Sequence, residues 1–205
     1  WSYELGTKMA LLDGRLNAEL AVFYSEYTDY QISGVLPPPA IPETITSNGG
    51  DAEIIGLDAS FTWQASENLV IGFSGNYVDT EVVEINLLSG THIVGDRLDF
   101  ISRYSATFFA TRNFDWSGTP GFVRLDYNQQ DKVLLTNRSL GVFGSSDVIR
   151  MLNLNVTWDL NENISLGLFG KNLLNEDGYI DPLLTYGGAA RPRPMTFGVQ
   201  LGLDF

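Results

Sequence analysis

Apolar and polar residues alternate along most of this chain with a period of two, and the pattern is clearest at its end. In residues 196–205, Phe197, Val199, Leu201, Leu203 and Phe205 alternate with Thr196, Gly198, Gln200, Gly202 and Asp204. A strand turns successive side chains to opposite faces, so this spacing predicts a strand with one apolar face and one small or polar face. The segment 152–159 repeats it, with Leu152, Leu154, Val156 and Trp158 against Asn153, Asn155, Thr157 and Asp159. Leu16–Tyr24, Leu57–Trp63 and Leu69–Tyr77 follow the same rule, and weaker versions occur near residues 3–9, 104–110, 123–127 and 164–168. The expectation is an all-β chain of about nine antiparallel strands, each near the length that crosses a bilayer when tilted.

The connections alternate as well. Short ones are centred on Asp13-Gly14, Glu67-Asn68, residues 115–120 and Asn161-Glu162, and long ones cover about 31–51, 82–101, 130–147 and 175–194. Tight turns at one rim and long loops at the other are the pattern of an up-and-down barrel in an outer membrane. With short turns at the periplasmic rim, the last strand runs inward and places Phe205 there. Trp63, Trp116 and Trp158 fall beside short turns, whereas Tyr27, Tyr30, Tyr77, Tyr127, Tyr179 and Tyr186 fall toward long loops. Amphipathic rings favour the headgroup level, so two aromatic belts are expected. An odd number of strands leaves the first and last without partners, so the chain, residues 1–205, is expected to be the C-terminal portion of a larger barrel.

Composition narrows the classes. The absence of cysteine excludes disulfides and thiolate metal sites. No apolar run is long enough for a spanning helix. A net charge of −13 argues against nucleic acid as a partner. A mean hydropathy near zero suits a barrel in which alternate residues face lipid, and equally a soluble β-sandwich.

Several stretches resemble the barrel of TonB-dependent outer-membrane receptors. They are Ser2-Tyr3-Glu4-Leu5-Gly6-Thr7-Lys8 with Leu12-Asp13-Gly14-Arg15-Leu16 and Ala21-Val22-Phe23-Tyr24; Asn48-Gly49-Gly50-Asp51-Ala52-Glu53 with Gly56-Leu57-Asp58; Asn76-Tyr77-Val78-Asp79-Thr80-Glu81; Gly170-Lys171-Asn172-Leu173-Leu174-Asn175 with Tyr179; and Arg191-Pro192-Arg193 followed by Phe197-Gly198-Val199 and the closing Phe205. The resemblance implies a barrel of about 22 strands around an N-terminal plug. It also implies import of a scarce ligand, a ferric siderophore by default, across the outer membrane of a Gram-negative bacterium. The implied partners are TonB, reached through parts outside this chain, lipid and lipopolysaccharide, and the barrel assembly machinery, which would recognise Phe197, Leu203 and Phe205 in the last strand. A passive porin without a plug is the alternative.

Catalytic chemistry finds little support. His92 is the one histidine and falls in a long loop, where a solvated side chain is expected. No metal, cofactor or phosphate-loop spacing is present; Asn175-Glu176-Asp177-Gly178 lacks the alternating ligands of a calcium loop. Strand parity suggests Arg103, Arg112, Arg124, Asp126 and Asn128 for the lumen or its loop boundary, because a charge on the lipid face costs about 2–4 kcal/mol near mid-bilayer. The long loops carry the candidate ligand contacts His92, Arg97, Lys132, Arg138, Arg191 and Arg193 for an anionic ligand. Tyr179, Tyr186 and Phe143 could stack on its flat groups.

Overall fold

The computed structural model describes residues 1–35, 44–86, 91–138, 141–182 and 190–203. All regular structure among them is β. Nine strands form one antiparallel meander: β1 (Ser2–Leu11), β2 (Leu16–Val35), β3 (Thr44–Ser66), β4 (Leu69–Ile85), β5 (Tyr104–Trp116), β6 (Thr119–Gln130), β9 (Ile149–Asn161), β10 (Ile164–Lys171) and β11 (Thr196–Leu203), each paired with the next in that order. Two short strands, β7 (Leu134–Asn137) and β8 (Val142–Ser145), form a separate hairpin inside the β6–β9 connection. Phe205 and Tyr186 lie outside the described residues, as does the Pro37-Pro38-Pro39 run.

Register turns the alternation into two faces. Across β2, β3, β4 and β5, Val22 pairs with Leu57, Leu57 with Tyr77, and Tyr77 with Tyr104. At the far side of the sheet Val123 meets Val156, Val156 meets Leu168, and Leu168 meets Val199. A one-residue slip at any seam would exchange the faces, so apolar matching fixes the register of every strand. The resulting apolar face is largely bare: Leu5, Leu201 and Val199 are 76%, 60% and 69% exposed. A continuous bare apolar surface of this extent is a lipid-facing surface.

The polar face is concave. A hollow of about 750 Å³ runs over it, lined by Glu4, Lys8, Glu19, Asp58, Asn76 and Thr107 among others. Large rings on this face have a specific place to lie. Phe23 faces Gly56, Phe109 faces Gly72 and Phe169 faces Gly198 across the strand pairs. A Cβ at any of the three glycines would come within 2.2 Å of the opposing ring. Each aromatic therefore lies flat over a missing side chain, which covers backbone without filling the hollow.

Two sequence expectations change. β2 and β3 continue as a paired ribbon into residues 31–51, where a long loop is expected, Gln31 meeting Asn48 and Val35 meeting Thr44. Arg112 is not on the polar face. It pairs with Leu69 on one side and Val123 on the other, in the same row set as Phe108 and Ala110. The expectation rested on the cost of a lipid-facing charge, and register overrides it at this height. Arg124, Asp126 and Asn128 do lie on the polar face, paired with Thr111, Phe109 and Thr107. Arg124 bonds Asp126 through Nε at 2.9 Å and stacks over Phe109 at 4.3 Å. Arg103 sits at the loop boundary just before β5, 3.3 Å from Asp79.

Strand propensity alone favours Gly72→Val. The Phe109 ring predicts the reverse: a loss of roughly 1–3 kcal/mol, from overpacking and a displaced Arg124 stack. The urea midpoint of the refolded barrel, followed by its gel-mobility shift, checks the sign.

Candidate functional site

The buried residues gather at the loop end of the sheet, not between its faces. Ala52, Thr80, Val82, Thr91, His92, Val133, Ser146 and Asn172 are all buried there. They belong to three connections that hold one another and to the loop-side parts of β3 and β4 that these connections cover.

The β4–β5 connection runs back along β4 beyond its last pair with β5. Val78 N bonds Arg103 O, Val82 N bonds Asp96 O, and Leu98 N donates to Thr80 Oγ1. His92 is 8% exposed, contrary to the solvated position expected for it. Its Nδ1 lies 3.0 Å from Thr91 Oγ1 and its Nε2 3.4 Å from Asp99 Oδ2. The ring borders a cavity of about 450 Å³ that Tyr30 and Gln31 of β2, Phe100, and Leu135 of β7 also line. Burial, and then Asp99 and Asp96, push the Tyr30 phenol up and keep it protonated. Arg97 is nearly buried and reaches Val78 O and Asp79.

The β7–β8 hairpin closes on this connection. Arg138 grips Asp96 through Nε at 2.9 Å and Nη2 at 2.6 Å. Backbone bonds flank that fork: Arg138 N to Thr91 O, Phe100 N to Leu134 O, and Thr136 N to Asp99 Oδ1. The Arg138 guanidinium holds the Asp96 carboxyl below the usual range, against the opposing effect of burial. Arg138 also lies 5.6 Å from the Phe143 ring.

The β10–β11 connection is organised by Asn172, which is 1% exposed with φ +52°. Its amide nitrogen donates to Glu176 O and Arg193 O, its carbonyl accepts from Glu176 N, and its backbone N donates to Asn153 Oδ1. Asparagine tolerates the left-handed conformation and can satisfy backbone groups on both sides of a turn, which accounts for its place in the Asn172-Leu173-Leu174-Asn175 motif. This connection joins the previous one through Asp147, whose N donates to Tyr179 O and whose Oδ2 accepts from Tyr179 N. Arg191 stacks over Tyr179 at 4.1 Å.

The expected contact residues therefore divide. His92, Arg97 and Arg138 converge on the Asp79, Asp96 and Asp99 carboxylates; Tyr179 pairs with Arg191; Arg193 lends its carbonyl to Asn172 and exposes its side chain; Lys132 is exposed beside buried Val133.

A family model described as TonB dependent receptor-like, beta-barrel, matches residues 1–173. The chain belongs to that family. TonB-dependent receptor barrels are outer-membrane proteins of Gram-negative bacteria, and they are receptors and transporters, not enzymes. No characterised relative matches by overall sequence similarity. Among solved structures, the ferric yersiniabactin uptake receptor of Yersinia pestis superposes with a TM-score of 0.72 at 19% identity, covering 100% of this chain and 29% of that one. The ferric preacinetobactin receptor of Acinetobacter baumannii gives 0.74 at 18%, covering 100% and 29%. The ferripyoverdine receptor of Pseudomonas aeruginosa gives 0.73 at 15%, covering 100% and 27%. The chain thus spans under a third of the length of each of these receptors, and the likeness is one of fold.

Sequence reasoning missed Tyr30, Thr80 and Ser146 as organisers of this receptor's loops, since no spacing relates them. Asn172 is legible as part of a motif, but not as the residue that holds its loop.

Two outcomes follow from the arch of loops. Because the Asp96 pKa is lowered on folding, its pair adds stability above about pH 4 and loses it as pH falls through the depressed value. Wild type should become more sensitive to proteolysis in residues 91–138 as the pH drops below that point. Asp96→Asn should be sensitive at every pH, and a flat wild-type profile would contradict the clamp. Asn172→Ala should cost roughly 2–4 kcal/mol by stranding several buried backbone groups, read as a lower unfolding midpoint.

Proposed function

We propose that residues 1–205 are the C-terminal portion of the barrel of an outer-membrane receptor that imports a ferric siderophore, with transport driven by TonB through parts of the protein outside this chain. The family match over residues 1–173 carries this reading. Three solved receptors of similar fold are, by their own descriptions, receptors for ferric siderophore complexes, which supports the ligand class.

The geometry supports a division of labour. Exposed cations on the arch, Lys132, Arg191 and Arg193, would meet an anionic chelate, and Tyr179, held flat by Arg191, would offer it a ring face. His92, Arg97 and Arg138 would hold the arch in shape, since carboxylates engage them at 3.4, 3.5 and 2.6 Å, whereas Arg191 meets only the exposed Asp177 at 3.9 Å. On the polar face, Arg124, Asp126 and Asn128, with Arg103 at the boundary, would pack against a plug inside the barrel. The alternating Phe197, Val199, Leu201 and Leu203 of β11, with Phe205, would be what the barrel assembly machinery recognises.

The test is uptake of radiolabelled ferric chelates (catecholate, hydroxamate and carboxylate) by iron-starved cells carrying the full-length gene. Uptake of one class should be saturable and should vanish when TonB is removed. Uptake that persists without TonB would identify a passive pore instead. Lys132→Ala or Arg193→Ala should weaken binding of that chelate by up to about tenfold, the value of one charge-assisted hydrogen bond.

A further inference from the structure

On the apolar face, between the short turns and the level of Tyr24, Tyr77, Tyr104 and Tyr127, one charged side chain occurs among the described residues, and it is Arg112. It is exposed, and no carboxylate or other hydrogen-bonding partner meets it among those residues. Its neighbours across the strands are Leu69 and Val123. The five donors of a guanidinium are expensive to leave bare against hydrocarbon, so this position needs a partner from outside the chain.

Height decides what that partner is. Leu69 is the first residue of β4, and the next residue along β5, Asn113, donates its N–H to Asn68 O in the β3–β4 turn at 2.8 Å. Arg112 is therefore level with the short-turn rim on that side. Two residues onward Phe114 packs edge-on against Trp158 with ring centroids 6.0 Å apart, and Trp116 follows at the end of β5. Aromatic girdles of this kind mark the headgroup level, where a lipid-facing charge becomes tolerable. Directly above the guanidinium, Ala110 lies between Ile71 and Leu125. This small residue between two larger ones leaves the face low beside Arg112, and Phe108, between Phe73 and Tyr127, bounds the low spot on the mid-bilayer side.

We propose that Arg112 is a phospholipid site: its guanidinium takes the headgroup phosphate of a lipid in the leaflet at the short-turn rim, and the lipid's acyl chains lie on the apolar face beside Ala110. Arginine suits this task because its planar fork binds two phosphate oxygens at once. The phosphate could in principle come from a lipid or from solution. The bare apolar face around Arg112 and the aromatic girdle favour the lipid. The inference rests on the outer-membrane barrel reading proposed above.

The test uses the full-length receptor, extracted from outer membranes in mild detergent, as wild type, Arg112→Gln and Arg112→Lys. Native mass spectrometry would count bound phosphatidylglycerol, and a phosphate-free glycolipid with the same acyl chains would serve as the control. Wild type should hold one phosphatidylglycerol about tenfold more tightly than Arg112→Gln. Arg112→Lys should fall between them, and the glycolipid should bind all three alike. Equal phosphatidylglycerol occupancy in wild type and Arg112→Gln overturns the site. Displacement of the bound lipid by millimolar inorganic phosphate overturns the lipid and leaves only an anion site. Should Arg112→Gln fail to assemble, the wild-type to Arg112→Lys difference decides the matter. Membrane flotation of the wild-type protein tests the barrel reading separately: a receptor that does not float with membranes overturns that reading and the lipid site with it, whereas failure of the Arg112 comparison alone overturns only the site.

Discussion

A backbone that crosses hydrocarbon must pair all its amides and carbonyls within the protein, because no water is there to receive them. The nine-stranded meander is the outcome of that constraint. Over the length the nine strands share, each interior strand exchanges hydrogen bonds with both neighbours, and the outer sides of β1 and β11 are the open ones there. Once pairing is obligatory, side chains can go only up or down from the sheet, and the period of two follows. The bare apolar face and the concave polar face are two views of one hydrogen-bonded ladder.

This arrangement leaves the sheet without a core of its own, since neither face packs on a second layer. What core there is lies in the arch of loops, where His92, Val82, Val133 and Asn172 are buried. The stabilising contacts there are mainly polar: the Arg138–Asp96 fork, the two-way bond between Asp147 and Tyr179, and the Asn172 turn. Polar links of this kind fix position through direction as well as distance, so the loops hold a defined shape above a concave wall.

The inner wall shows how a polar face accepts aromatic rings. Phe23, Phe109 and Phe169 break the polar pattern of their strands, and each lies over a glycine of the neighbouring strand. Arg124 then stacks on Phe109 and binds Asp126, so the ring presents a neutralised ion pair to the hollow. Arg112 is the complementary exception: a charge on the apolar side, set at the one height where the environment accepts it.

Much of the fold was legible in the sequence because a period of two needs only one strand to be seen. The alternation in 16–24, 57–63, 152–159 and 196–203 determined strand identity, the two faces, and the alternation of short and long connections. The order of the family motifs determined the family. Tertiary structure alone decided what depends on neighbours distant in the chain. Arg112 shares the parity of Phe108 and Ala110 along β5, and its registers with Leu69 of β4 and Val123 of β6 fix that face as the apolar one. His92 was assigned to solvent because a loop histidine has no periodic cue. It is buried by Asp99 and by a β7–β8 hairpin that begins some forty residues later, which also supplies the Arg138 partner of Asp96, at a separation of 42. Side-chain direction is local chemistry and can be read from a strand; pairing between loops is a matter of which ends the sheet brings together, and only the folded sheet does that.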